Sequence, residues 1–155
     1  MSKGRRRFIA IVVLLLAAPV LVDVLWTSDE ERIETTLAAL EAGLEARDAA
    51  RVTSHFADEV RVDAPILGLP VREALPEGIR LALAHLSKLQ LDVDETCVSF
   101  PESDRAAVHL SGTGFAEASG FGGIFRHTMD LEFVRVGERF LLDHVVRVRI
   151  EPGFG

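Results

Sequence analysis

The chain has 155 residues, 48% of them hydrophobic and 26% charged, which fits one globular domain and leaves no length for a second catalytic domain. Its formal charge of -7 is unevenly divided: residues 1–26 carry Lys3, Arg5, Arg6 and Arg7 against Asp23, and the remainder has 13 basic and 23 acidic residues, a net of -10. A surface so acidic repels phosphate backbones, and nucleic acid is excluded as a partner on that ground.

Behind the basic residues 1–7 comes an apolar run, Phe8 to Val22, followed by Asp23, Val24, Leu25 and Trp26. As a helix, residues 8–26 would reach about 28 Å, the thickness of a bilayer's hydrocarbon core. The expectation is an uncleaved single-pass anchor in the lipid bilayer, with a cytoplasmic amino end and an extracytoplasmic domain, periplasmic in a bacterium. A cleaved secretory signal is the alternative, although Leu16 and Pro19 fit poorly around a cut after Ala18. A twin-arginine export signal around Arg5-Arg6-Arg7-Phe8 is a third reading, and all three export residues 27–155.

Ser28-Asp29-Glu30-Glu31 has the form of a capping box, and Ile33, Leu37, Leu40 and Leu44 recur at helical spacing up to Arg47. Asp48 is placed to cap a second, short helix whose inward pair is Val52 and Phe56. Glu59 to Ala64 alternates as a strand ending at Pro65, and Pro65 to Pro70 reads as a loop. Pro76 suits the first turn of a third helix with Ile79, Leu83 and Leu86 on its buried face. From Leu89 the period falls to two: Leu89, Leu91 and Val93 open a strand, Pro101 to Asp104 a turn, and Arg105 to Ala118 the next strand. Ser119 to Gly123 reads as a flexible tip, Ile124 to Val136 returns, Gly137-Glu138 makes a type II′ turn, and Arg139 to Ile150 closes the sheet. Cys97, the only cysteine, can form no internal disulfide and is expected to be buried.

This order of elements, with Ala46-Arg47-Asp48-Ala49-Ala50-Arg51-Val52 leading to His55-Phe56-Ala57-Asp58-Glu59-Val60 and the Gly137 hairpin leading to Phe140-Leu141-Leu142-Asp143, resembles the nuclear transport factor 2-like superfamily. That superfamily houses ketosteroid isomerase, scytalone dehydratase and SnoaL-like cyclases. The resemblance implies an α+β fold, a cone-shaped half-barrel of curved antiparallel sheet on about three helices, over residues 28–151, with 152–155 as a tail. It fixes no function.

Counting outward from Val136 opposite Arg139 sets Leu131 against His144, Met129 against Val146, Phe133 against Leu142 and Arg135 against Phe140. His144 then stands in an apolar row facing the cone, where it is either a pocket base or a core histidine bonded to backbone. Met129, Leu131, Phe133 and Leu142 share its row, and His55 is a rim candidate. The resemblance implies a pocket acid near Asp63, which equally suits a turn before proline. On the outer side Glu132 opposes Asp143, a like-charge rung suited to solvent or to a basic protein partner. Phe121, at the glycine-rich tip, is either a partner contact or a plug for the cone. His85 and His109 are expected at a helix end or facing solvent. No histidine pair has metal-ligand spacing, and no cofactor is implied.

The chain has no Tyr and no Asn, which excludes the tyrosine oxyanion hole of ketosteroid isomerases and the Tyr and Asn chemistry of the epoxide hydrolase branch. The expectation for function is therefore a non-catalytic, membrane-anchored accessory subunit docking on a membrane protein, with a homodimer also open. The alternative is a small-molecule binder or SnoaL-like enzyme with Asp63 and His144 as acid and base. An open cone would favour the enzyme, and a cone filled by Phe and Leu side chains would exclude it.

Overall fold

The structure is a computed structural model that describes residues 27–63 and 75–153. The chain divides into two units, Met1–Arg32 and Ile33–Gly155. The expected anchor over 8–26, the Pro65 to Pro70 loop and the end of the tail lie outside the described residues. Among those described, no helix is long and apolar enough to cross a membrane.

Helix α1 covers Asp29–Glu45. Its first turn carries the capping box: Glu31 N–H donates to Ser28 Oγ at 3.2 Å, and Ser28 N–H donates to Glu31 Oε2 at 2.8 Å. Helix α2, Ala49–Thr53, is capped by Asp48, whose Oδ1 accepts from Arg51 N–H at 3.0 Å. Val52 of this turn is buried, as its position in the pattern predicts. Helix α3, Leu75–His85, carries Pro76 near its start and buries Leu75 and Leu83.

Five strands form one sheet: β1 Phe56–Val62, β2 Lys88–Glu102, β3 Arg105–Ala118, β4 Phe121–Val136 and β5 Arg139–Pro152, in spatial order β1-β5-β4-β3-β2. Strands β2 to β5 are the expected antiparallel meander. The sheet is nevertheless mixed, because β1 runs parallel to β5. Thr36 on α1 donates through its hydroxyl to Phe140 O on β5, while Glu45 at the helix end accepts from Leu91 N–H on β2. The part of α1 from Ile33 onward is thus fastened to β5 and to the β2 edge, and the core of Ile33, Phe133 and Phe140, all fully buried, lies between helix and sheet. The Glu45 contact also satisfies a backbone donor on a strand that has only one neighbour.

The β3–β4 connection is tighter than expected. Ala118 pairs with Phe121, leaving Ser119 and Gly120 as the turn, both at positive φ (53° and 81°). Phe121 is 84% exposed, so it plugs nothing. Gly137 has φ 63°, as the type II′ reading requires. Cys97 is exposed rather than buried, because it sits on edge strand β2.

The register of the last hairpin holds for four rungs and then slips. Val136 pairs with Arg139, Arg135 with Phe140 and Phe133 with Leu142, but Glu132 pairs with His144, Leu131 with Val145 and Met129 with Val148. Asp143 and then Val146 are extra residues on β5, two β-bulges that strict alternation does not anticipate. They turn His144 onto the face of Glu132 and keep Leu142, Val145 and Val148 against the helices.

Candidate functional site

On β4 the residues facing the helices are two apart. Counting back from Phe133 and Leu131 through Met129, the same row reaches His127 and Phe125. Opposite these two, β3 places Gly112 against His127 and Gly114 against Phe125. A Cβ on Gly114 would lie 2.3 Å from the Phe125 ring, and one on Gly112 would lie 2.0 Å from Asp92 O and 3.0 Å from His127 Nε2. The two glycines therefore leave the wall bare where the two rings lie, 6.1 Å apart.

His127 is 3% exposed, and neither Nδ1 nor Nε2 has a hydrogen-bond partner among the described residues. An unsatisfied buried polar group costs about 1–3 kcal/mol, and such groups in native proteins call for an explanation. The surroundings supply one. His127 lines a cavity of about 540 Å³, partly open to solvent, between α1 and the sheet. Leu37, Leu40 and Leu44 form its roof, and Met129, Leu131 and Val145 lie across from them. Among the described lining residues only Glu34, Glu41, Thr96 and His127 carry polar side chains. The cone is hollow rather than filled by Phe and Leu side chains.

The expected acid and base are brought together elsewhere. His144 Nε2 lies 2.8 Å from Asp63 Oδ2, and Nδ1 lies 3.0 Å from Glu132 Oε2. Neither His144 nor Asp63 lines the cavity, because the first bulge turns His144 to the outer face. Both ring nitrogens of His144 are therefore engaged by carboxylate groups, one on each side of the ring. Asp143 is held by Arg61 and Arg105, each at 3.2 Å. The supposed like-charge rung of Glu132 and Asp143 is thus part of a compensated network whose cations come from the chain itself. His109 lies outward, 2.6 Å from Asp130, and His85 ends α3 in an exposed position.

Of the expected pocket residues, Met129, Leu131 and Leu142 line the cavity. Phe133 is fully buried in the core behind it, and His55 is not among the lining residues. The His55 pKa is lowered, first by burial and then by the nearby charges of Arg139 and Arg51. A second hollow of about 710 Å³ runs beside β1, lined by Ala57 to Arg61 with Leu75 and Pro76. No cluster of three His, Cys, Asp or Glu suited to a metal ion occurs among the described residues.

No protein-family model and no curated protein matches the chain. Solved structures do. A protein assigned as a scytalone dehydratase from Novosphingobium aromaticivorans superposes with a TM-score of 0.69 at 15% identity, over 79% of this chain and 83% of that one. One assigned as a dehydratase of the NTF2-like family from Streptomyces avermitilis gives 0.67 at 17%, over 82% and 98%. The hexachlorocyclohexane dehydrochlorinase LinA-type3 of Novosphingobium barchaimii gives 0.62 at 12%, over 81% and 90%. The chain thus has the nuclear transport factor 2-like fold. The expectation of a non-catalytic accessory subunit is corrected. It rested on the missing Tyr and Asn, whereas the cone is hollow and holds a histidine with no hydrogen-bond partner among the described residues, and the fold is similar to structures that include a dehydrochlorinase.

Proposed function

We propose that this chain is an enzyme that takes a largely apolar small molecule into the cone and removes a proton from it with His127. The observation that carries this reading is an imidazole with both nitrogens unpartnered in the wall of an apolar cavity. A neutral imidazole has one nitrogen lone pair free to accept a proton, and one N–H to orient an oxygen or halogen on the ligand. Taking a proton from carbon leaves its electron pair to form a double bond. Either that bond forms as a leaving group departs from the adjacent carbon with its own electron pair, an elimination, or the pair is delocalised into an adjacent unsaturated group and the protonated His127 returns the proton to another carbon, an isomerisation. Dehydratase and dehydrochlorinase, the names carried by proteins of similar fold, both denote eliminations, which supports this reaction class.

The test starts from what the protein retains. The full-length chain and its Leu131→Trp variant, which fills the cavity, are purified in neutral-lipid nanodiscs and extracted for mass spectrometry. A compound held by the natural chain and missing from the variant is the candidate substrate. It should be converted by the natural chain and lost at least a hundredfold more slowly with His127→Gln, within the range a general base contributes. No retained compound, or turnover indifferent to His127→Gln, would refute the reading.

As a separate proposal, Phe8 to Trp26 anchors the chain and places the cone outside the cytoplasm, a reading supported by the apolar length and the four basic residues before it. Resistance of the full chain to alkaline extraction from membranes, with protease access only from the far side, is the expected result. Release into the supernatant contradicts it.

A further inference from the structure

Resting on the reading of the cone as a small-molecule site, we propose that its ligand is an apolar molecule bearing a cationic nitrogen, and that Glu34 and Glu41 select for it. Among the described lining residues the only charged side chains are these two, and no Lys or Arg is present. Glu34 and Glu41 are seven residues apart on α1, on the helix face that carries Leu37 and Leu44. They stand about 10 Å apart along the axis, so a cation held beside α1 is never far from a carboxylate. Neither carboxylate makes an ion pair or hydrogen bond among the described residues, although the chain pairs other acids closely, as at Asp143 and Asp130.

A pair of exposed acids alone would be a solvated helix face. The independent observation is His127, nine-tenths buried and more, unpartnered, and set in the same cavity wall. The cavity therefore offers one deep imidazole, an apolar barrel and an acidic rim. A carboxylate, sulfate or phosphate ester of the same body would meet the two acids with no compensating cation, whereas an ammonium would gain from them. Glu34 is exposed and Glu41 half-buried, so water weakens the effect, and about tenfold in affinity for each change of charge is the expected scale.

The experiment compares three probes with one apolar body: 2-naphthylmethylamine, 2-naphthalenemethanol and 2-naphthoate. Each is titrated calorimetrically into the full-length chain in neutral-lipid nanodiscs, against empty nanodiscs. The amine should bind about tenfold more tightly than the alcohol, and the carboxylate more weakly than both. In the double variant Glu34→Gln, Glu41→Gln the ratio of amine to alcohol affinity should fall to about one. Carboxylate binding equal to that of the amine, or an amine preference that survives the double variant, overturns the proposal and leaves the cavity reading intact. If none of the three binds, the cavity reading falls and the charge selection falls with it.

Discussion

The last hairpin carries a histidine on each face, and their surroundings are opposites. His144, on the outer face, has both ring nitrogens within 3.0 Å of carboxylates and belongs to a network with Asp63 and Glu132. His127, on the inner face, has neither nitrogen engaged and looks into an apolar cavity. Both are buried, so burial does not distinguish them. What distinguishes them is whether the desolvation of the ring is compensated. A satisfied histidine contributes to the fold, whereas an unsatisfied one lowers stability and is retained for something the fold does not need.

The contrast can be broken at its scaffold or on either side. Phe133→Ala removes the fully buried ring next to Glu132 in sequence and behind the cavity wall, and should cost about 3–5 kcal/mol in chemical denaturation, loosening both faces together. His144→Ala leaves Asp63 and Glu132 without the ring they share and should cost about 1–2 kcal/mol, since both carboxylates remain in reach of water, with no change in binding of the naphthyl alcohol. His127→Phe should do the reverse: stability unchanged or raised by up to about 1 kcal/mol, because an unsatisfied polar ring is replaced by an apolar one of similar shape, and turnover abolished.

The smallest effect concerns His55. Its pKa is lowered on folding, so the unfolded chain binds the proton more readily. Stability should therefore be independent of this group above pH of about 6.5, and should fall as pH drops below that value towards the lowered folded pKa. His55→Gln should flatten that part of a stability profile recorded between neutral and mildly acid pH. A wild-type and variant profile of identical slope there would contradict the assignment.

Much of the architecture was legible. Capping residues Ser28 and Asp48, the Ile33-Leu37-Leu40-Leu44 stripe and the Gly137 turn act through local chemistry, so each was readable where it stands. The site was less so, for one physical reason. Apolar residues on β5 are spaced two, three and three apart at Phe140, Leu142, Val145 and Val148, and each interval of three holds a bulge residue. Reading that strand with strict alternation moved His144 into the cone. On β4 the row through Met129, Leu131 and Phe133 was read correctly and was not followed two residues back to His127. The glycines of β3 at 112 and 114 were a further signal of a wall kept bare. Pairing between β1 and β5 is parallel and distant in sequence, which no local pattern announces.

The central claim is that the inner histidine meets a ligand and the outer one does not. The most direct measurement is the side-chain ¹⁵N spectrum of the histidine-labelled full-length chain in neutral-lipid nanodiscs, titrated with 2-naphthalenemethanol. His127→Phe and His144→Gln variants assign the two rings. The account predicts that the His127 nitrogens shift with saturation while those of His144 stay in place. A shift at His144 with His127 unmoved would contradict it.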